Sequence, residues 1–362
     1  MKLMIVTQKV DKNDPILGFF HRWLEEFAKH CEKLTVICLQ KGEHDLPQNV
    51  RVLSLGKELI TSKGPSFGER SGPKVGPLRV KLSYVFNFYK YIREEQDNYD
   101  SVFVHMNQEY VLLGAIAWKT WGKKIFMWRN HPAGSLLTNI AAYLSDRVFC
   151  TSKYSYTARF PKTELMPVGI DTEFFKKDKD IKKKKNSILF LGRISPIKKP
   201  HIFIEALDIL NKKGIEFSAT IIGDSLPVDF DYFEQLKKKV AESGLESKVH
   251  FLKAVTNSET KRLYNEHEIY VNLTPSGSMD KTIFEAMSCE SLVLVANRSL
   301  QGEIDDIFVC KTDSSKEIAD KLKTLLEISE SQNGEYEIKL REYVVKEHSL
   351  KKLADKLLKI IN

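Results

Sequence analysis

The sequence predicts an α/β protein of two doubly wound parallel-sheet domains facing a central cleft. Three observations carry that prediction. Short, continuously apolar runs alternate with amphipathic ones along nearly the whole chain, the pattern of parallel strands covered by helices on both faces. The alternation stops at a polar, lysine-rich stretch, residues 171–186, and then begins again. The length, 362 residues, exceeds what one ordinary core accommodates.

In the first half the apolar runs fall at 2–7, 34–39, 50–55, 101–105, 124–128, 147–151 and 164–167, with amphipathic stretches such as 19–29, 80–94 and 110–120 between them. The segment 61–77 is rich in Gly, Ser, Pro and charge and reads as a loop. The stretch that follows it, 78–91, is basic and aromatic. It reads first as a helix that covers the sheet, and second as one that could lie on an anionic membrane. After the break at 171–186, strands are expected at 187–191, 218–222, 248–252, 269–273, 292–295 and 307–310. From Ser315 the chain reads as helical. The expected partition is a first domain 1–170, a linker 171–186, a second domain 187–340, and terminal helices 341–362 packing back on the first domain.

Composition narrows the function classes. The start, MKLMIVTQK, is strand-like and lacks the charged and long apolar regions of a secretory signal. No apolar run approaches the ~20 residues that span a bilayer. Five cysteines are scattered without a CxxC pair, so reduced thiols and a cytoplasmic location are expected. The net charge of +8 draws on runs such as Lys182 to Lys185, which read as solvated, and no nucleic-acid motif accompanies it. Asp229 and Asp231 have the spacing of a metal pair but open a helix, where acids favour the dipole, so no metal site is expected. The first βα turn lacks GxGxxG, so no dinucleotide cofactor is expected.

Two turns carry the chemistry. The first, Gly192-Arg193-Ile194-Ser195-Pro196-Ile197-Lys198, follows an apolar strand and places two cations five positions apart. Arg offers a planar fork for phosphate oxygens and Lys a mobile point charge. The second, from Pro275 to Met287, runs through Gly277, Ser278, Asp280, Lys281 and Thr282 into a short helix that carries Glu285. Small residues and a helix start suit a diphosphate. An ionised Glu285 would repel phosphate and suits a vicinal diol such as that of ribose. Together the turns fit a nucleoside diphosphate.

The chain resembles the GT-B glycosyltransferases, in particular the family 4 retaining type, over nearly its whole length. The residues that carry the resemblance are Gly192-Arg193 with Lys198, Ile222-Gly223-Asp224, Val249 through Val255, and Glu285-Ala286-Met287-Ser288-Cys289. Leu17-Gly18-Phe19-Phe20 and Pro167-Val168-Gly169-Ile170-Asp171 belong to it as well. The resemblance implies that the second domain binds a UDP- or GDP-sugar and the first an acceptor, carbohydrate or lipid-linked. Arg193 and Lys198 would grip the diphosphate and support its departure, and Gly192 would let the backbone approach. Glu285 would hold the ribose, the backbone near Val255 the base, and Gly18 the closure over the phosphates. Ser278, Asp280, Lys281 and Thr282 would line the donor. His131 would act on the acceptor hydroxyl, with His105 and Asn107 beside it. Transfer with retention, without metal or cofactor, in glycan or glycolipid synthesis is implied, together with peripheral contact on the inner membrane face. The family's pattern has a further glutamate eight positions before Glu285, where this chain has Gly277. That departure keeps a catalytically weakened binding protein as an alternative, and a sugar-nucleotide epimerase, which shares the fold, is another.

Overall fold

Continuously apolar strands need cover on both faces, and the chain supplies it twice. The computed structural model describes residues 1–61 and 77–362, so the loop expected at 61–77 lies, but for its two ends, outside the described residues. One unit comprises Met1–Met166 with Ala354–Asn362, the other Pro167–Leu353.

The first unit is built on β1 (Lys2–Val10), β2 (Lys33–Lys41), β3 (Val50–Ser54), β4 (Ser101–His105), β5 (Lys124–Trp128), β6 (Arg147–Cys150) and β7 (Thr163–Leu165). Among the described residues they form one sheet in the order β3-β2-β1-β4-β5-β6-β7, every neighbouring pair parallel. The order reverses between β1 and β4, where carboxyl ends open a crevice. Helices α1 (Phe19–Ala28), α2 (Glu58–Thr61), α3 (Pro77–Glu94), α4 (Gln108–Thr120) and α5 (Leu136–Leu144) connect the strands.

The period-2 alternation of a strand sorts these helices between the two faces. Val102, Val104, Ile125 and Met127 share one core with Phe88 and Ile92 of α3, Ala115 and Trp118 of α4, and Ala141 and Ala142 of α5. On the opposite face Phe103 and Trp128 meet Trp23 and Phe27 of α1 in edge-to-face contacts. Thus α3, α4 and α5 lie on one side of the sheet and α1 on the other.

The second unit repeats the plan with β8 (Lys184–Leu191), β9 (Ser218–Ile222), β10 (Val249–Leu252), β11 (His267–Asn272) and β12 (Leu292–Val295). Its parallel order is β10-β9-β8-β11-β12, with the reversal between β8 and β11. Its helices are α6 (Pro200–Lys212), α7 (Phe230–Glu242), α8 (Asn257–Glu266), α9 (Lys281–Ser288), α10 (Ser315–Leu326) and α11 (Glu330–Tyr343). The last helix, α12 (Leu350–Ile361), ends among the residues of the first unit. There Lys356 Nζ donates to the Leu165 carbonyl at 2.6 Å and Lys124 Nζ to that of Asn362 at 3.2 Å.

The structure corrects two sequence expectations. Residues 171–186, read as a linker, belong to the second unit: Phe175 is buried in its core, and the Asp178 N–H donates to Asn265 Oδ1 at 2.7 Å. A polar stretch hides this because two adjacent aromatics, Phe174 and Phe175, are too little to make a periodic signal. The strand expected at 307–310 is a short 3-10 turn, Asp306–Phe308, with a single bridge from Val309 to Val295. Asp305 caps that turn through the Ile307 N–H and so bends the apolar run out of the sheet.

Candidate functional site

The second unit's reversal point brings the two chemically loaded turns together. The loop after β8 packs backbone to backbone on the loop after β9, and glycines permit it. Gly192 (φ 151°) and Gly223 (φ 155°) both lie in the positive-φ region, and a Cβ on Gly223 would fall 1.9 Å from the Gly192 carbonyl oxygen. Arg193, one residue on, is exposed and has no ion pair or hydrogen bond among the described residues. Lys198 closes the 3-10 turn Pro196–Lys198, and left-handed Lys199 (φ 58°) then starts α6.

Lys198 reaches from that turn to the loop after β11. Its Nζ lies 2.6 Å from Asp280 Oδ2 and 3.0 Å from Thr274 Oγ1. Asp280 sits just before α9, and its carboxylate also accepts from Asn272 Nδ2 (3.2 Å), Thr274 Oγ1 (3.3 Å) and Thr282 Oγ1 (3.0 Å). Burial alone would raise the Asp280 carboxyl. The Lys198 charge and the hydrogen bonds outweigh it and hold the group well below the usual carboxylate range. The Tyr270 hydroxyl lies 2.7 Å from Thr282 Oγ1 and 3.3 Å from the Leu191 carbonyl, tying the end of β8 to the start of α9.

The rest of the turn is fixed by backbone contacts. The Ser278 carbonyl accepts from Asn297 Nδ2 at 2.7 Å, and Gly277 adopts φ 130°. Lys281 opens α9, but its Nζ turns to the Val168 carbonyl. Burial lowers its pKa to about 7 against the opposing pull of Glu285 and Asp280.

Glu285 departs from its expected setting. It is 2% exposed and accepts from Asn257 Nδ2 at 3.0 Å and the Tyr264 hydroxyl at 3.1 Å. The sequence gives no sign of these two donors, which come from α8. Val255 is half-buried immediately before the capping box of α8, in which Thr256 and Glu259 exchange bonds. Asp229 stands at the start of α7 without a side-chain cap bond, and Asp231 lies in its first turn.

In the first unit, Gly18 is the buried residue that begins α1, after a turn in which Asp14 Oδ1 accepts from the Ile16 and Leu17 N–H groups. His105 is no acceptor contact as it stands: it is 2% exposed, stacks on Phe20 at 4.1 Å, and its Nδ1 lies 3.1 Å from Thr7 Oγ1. Its strand parity is that of Phe103, which turns it toward the aromatic side of α1. Asn107 begins α4, half-buried, and makes no side-chain cap bond. His131 is exposed after β5, with the Ala133 N–H donating to its Nδ1 at 3.0 Å. The structure therefore groups Lys198, Asp280 and Thr282, with Arg193 exposed earlier on the loop that carries Lys198. It adds Asn272 and Thr274, whose only sequence signal is polarity at the end of an apolar strand.

Comparison with known proteins bears on this geometry. Residues 171–338 match the family model Glycosyl transferases group 1. The matched residues lie within the second unit, Pro167–Leu353. A D-inositol 3-phosphate glycosyltransferase of Paenarthrobacter aurescens (strain TC1) is 27% identical over 153 residues, 39% of this chain and 36% of that relative. The chain thus spans little more than a third of that curated relative. HepE of Anabaena, solved in complex with UDP, superposes with a TM-score of 0.77 at 19% identity, covering 100% of this chain and 99% of that one. Sucrose-phosphate synthase of Thermosynechococcus elongatus gives 0.74 at 14% identity over 99% and 98%. These likenesses establish the fold: two parallel-sheet α/β units of the GT-B type, with the Lys198–Asp280 pair among the residues that match the group 1 model.

Proposed function

We propose that this protein is a glycosyltransferase that moves a sugar from a nucleoside-diphosphate sugar to an acceptor hydroxyl. One observation carries the reading: among the residues that match the group 1 model, Lys198 is tethered to Asp280 at the turn that opens α9, and the exposed Arg193 precedes it on the same loop. Two cations at a helix start form a site for a diphosphate. HepE has been solved with UDP and with UDP-glucose, which supports a UDP- or GDP-sugar as donor class. Arg193 and Lys198 would neutralise charge on the departing diphosphate. Glu285, on α9, would accept from the ribose hydroxyls. In the retaining, family 4 form of the reading, the sugar–phosphate bond breaks as the acceptor oxygen attacks from the same face. The acceptor proton passes to the leaving phosphate, with His131 orienting the hydroxyl and no metal or cofactor required. A carbohydrate or lipid-linked acceptor, glycan or glycolipid synthesis, and a cytoplasmic protein touching the inner membrane face complete the reading.

The test is calorimetric titration with UDP and GDP. Arg193→Ala and Lys198→Ala should each weaken binding by roughly tenfold or more, the loss of one charge-assisted contact. Unchanged affinity in both variants would overturn the site. A second reading, a sugar-nucleotide-binding protein of weakened activity, is favoured by Gly277 and by the Asp280 charge already on Lys198. Tight UDP binding without transfer to any of a broad acceptor panel would support it. Epimer formation from the nucleotide-sugar alone would point to an epimerase instead.

A further inference from the structure

Surface helices normally bury their large apolar residues and show polar ones to water. In α5 this is inverted. Its inward residues are Thr138, Ala141 and Ala142, while Leu136 (72% exposed), Leu137, Ile140 and Tyr143 (80% exposed) face outward. The segment LLTNIAAYL contains no charge. Two neighbours on the same side of the sheet continue the pattern. Ile116 of α4 is 77% exposed, and α3 presents Leu82, Phe86 (70% exposed) and Tyr89 at helical spacing. The Tyr89 hydroxyl donates to the Leu113 carbonyl at 2.8 Å, joining α3 to α4. Contiguous exposed apolar surface of this kind marks an interaction face.

Exposed cations outnumber exposed acids along α3, where Glu94 pairs with Lys90 at 3.9 Å. Arg79, Lys81, Lys90 and Arg93 are exposed on α3. Near the end of α5, Lys162 Nζ donates to the Tyr143 carbonyl at 2.9 Å, and its pKa is lowered by burial and, against Asp146, by Lys119 and Arg147. Arg159 lies 3.5 Å over the Tyr156 ring, whose hydroxyl donates to Asn139 of α5 at 2.9 Å. An apolar face with a basic margin complements an anionic bilayer, where acyl chains take the apolar side chains and phosphates the cations. A second copy of this chain would set one basic margin against another, so like charges oppose self-association through this face. Among the described residues no helix is long and apolar enough to cross a membrane.

We propose that the outer face of α3, α4 and α5 docks the protein on an anionic bilayer surface. The proposal gives a surface to the membrane contact in the proposed function and rests on that reading for its biological sense, but vesicle binding needs no donor and no acceptor. The test is co-sedimentation of the full chain with phosphatidylcholine vesicles, with and without phosphatidylglycerol, alongside UDP titration and gel filtration. The wild type should pellet with the anionic vesicles, and less in high salt, but not with the neutral ones. The double variant Ile140→Asp/Tyr143→Asp and the double variant Lys119→Glu/Arg147→Glu should each lower the bound fraction by about tenfold or more, with thermal midpoint and UDP affinity unchanged. Absence of pelleting, or pelleting that both double variants leave intact, would overturn the proposal. So would a wild-type dimer that Ile140→Asp/Tyr143→Asp dissociates, which would make the face a contact between copies. Loss of UDP binding in the wild type with vesicle binding retained would defeat the donor reading and leave this one standing.

Discussion

Asp280 sets how much positive charge the second unit offers an anionic ligand. Its carboxylate sits 2.6 Å from Lys198 Nζ and so cancels half of the charge that Arg193 and Lys198 would otherwise present. Replacing it by Asn should therefore act in opposite directions on stability and on binding. Asp280→Asn should lower stability at pH 7 by about 2 kcal/mol, the worth of a charge-assisted bond in a partly exposed setting. It should also tighten UDP binding several-fold, about 1 kcal/mol, because Lys198 regains its full charge. The sign of the pH effect follows from the depressed carboxyl. The stabilisation is complete above the unfolded value of about 3.9 and disappears as the pH falls through the folded one, so the variant should lose less stability on acidification. Urea unfolding at two pH values and calorimetry with UDP check both arms. Weaker UDP binding in the variant would show instead that Asp280 touches the ligand. At this scale the sequence was partly legible. Arg193 and Lys198 announce themselves as paired cations after an apolar strand, whereas the partner that holds Lys198 lies 82 residues on and leaves no local trace. Gly277 becomes intelligible only with its φ of 130°, since a glutamate there would strain the backbone by about 1–3 kcal/mol. The burial of His105 is not legible in the sequence, because the residue ending an apolar strand looks the same whichever face it joins.

At the scale of elements, the segment that opens the second unit is held by the residues just before α12. The N–H groups of Gly169 and Ile170 both donate to the His348 carbonyl, at 3.0 and 2.9 Å, and the Leu350 N–H donates to that of Ile170 at 2.7 Å. The His348 ring adds to this. Its Nδ1 accepts from the Val168 N–H at 3.3 Å, so the neutral ring carries its proton on Nε2, which lies 2.9 Å from the Tyr343 hydroxyl oxygen and donates to it. Protonation would place a second N–H against the Val168 N–H. Burial first, with the nearby Lys352 and Lys281 assisting against Glu347, lowers the His348 pKa to about 4. A base with a depressed folded pKa stabilises fully above its unfolded value of about 6.5. That contribution shrinks as the pH falls toward 4, because the unfolded chain takes up the proton first. The wild type should thus lose about 3 kcal/mol from this group between pH 6.5 and 4, and His348→Gln should abolish that part of the slope. Urea midpoints at pH 7 and 4.5 check it, and equal slopes in the two proteins would defeat it. The elements themselves were largely legible, since covered parallel strands read as continuous apolar runs. The outward apolar face of α5 was not, because periodicity shows that a stripe exists without showing which side of it meets the sheet.

The whole molecule consists of two sheets with separate cores, one centred on Val102, Val104, Ile125 and Met127, the other on Ile188, Phe190, Ile269 and Val271. A net charge of +8 was unassigned by composition alone. The fold places part of it at the Arg193–Lys198 turn of the second unit and part at the margin of the α3–α5 face of the first. Separate cores imply that a ligand held by one unit stabilises that unit's own opening equilibrium. UDP at a hundredfold excess over its Kd should add about 2.7 kcal/mol to whatever opening releases it. For amides that exchange only through that opening, this is a slowing of roughly a hundredfold. Hydrogen exchange followed by mass spectrometry should therefore show slowing in peptides from β8, β11 and α9, with those of β1, β4 and β5 unchanged. Equal slowing in both sheets would mean that the two cores open as one cooperative body. Slowing confined to the first sheet would move the nucleotide site out of the second unit, and with it the roles assigned to Arg193 and Lys198.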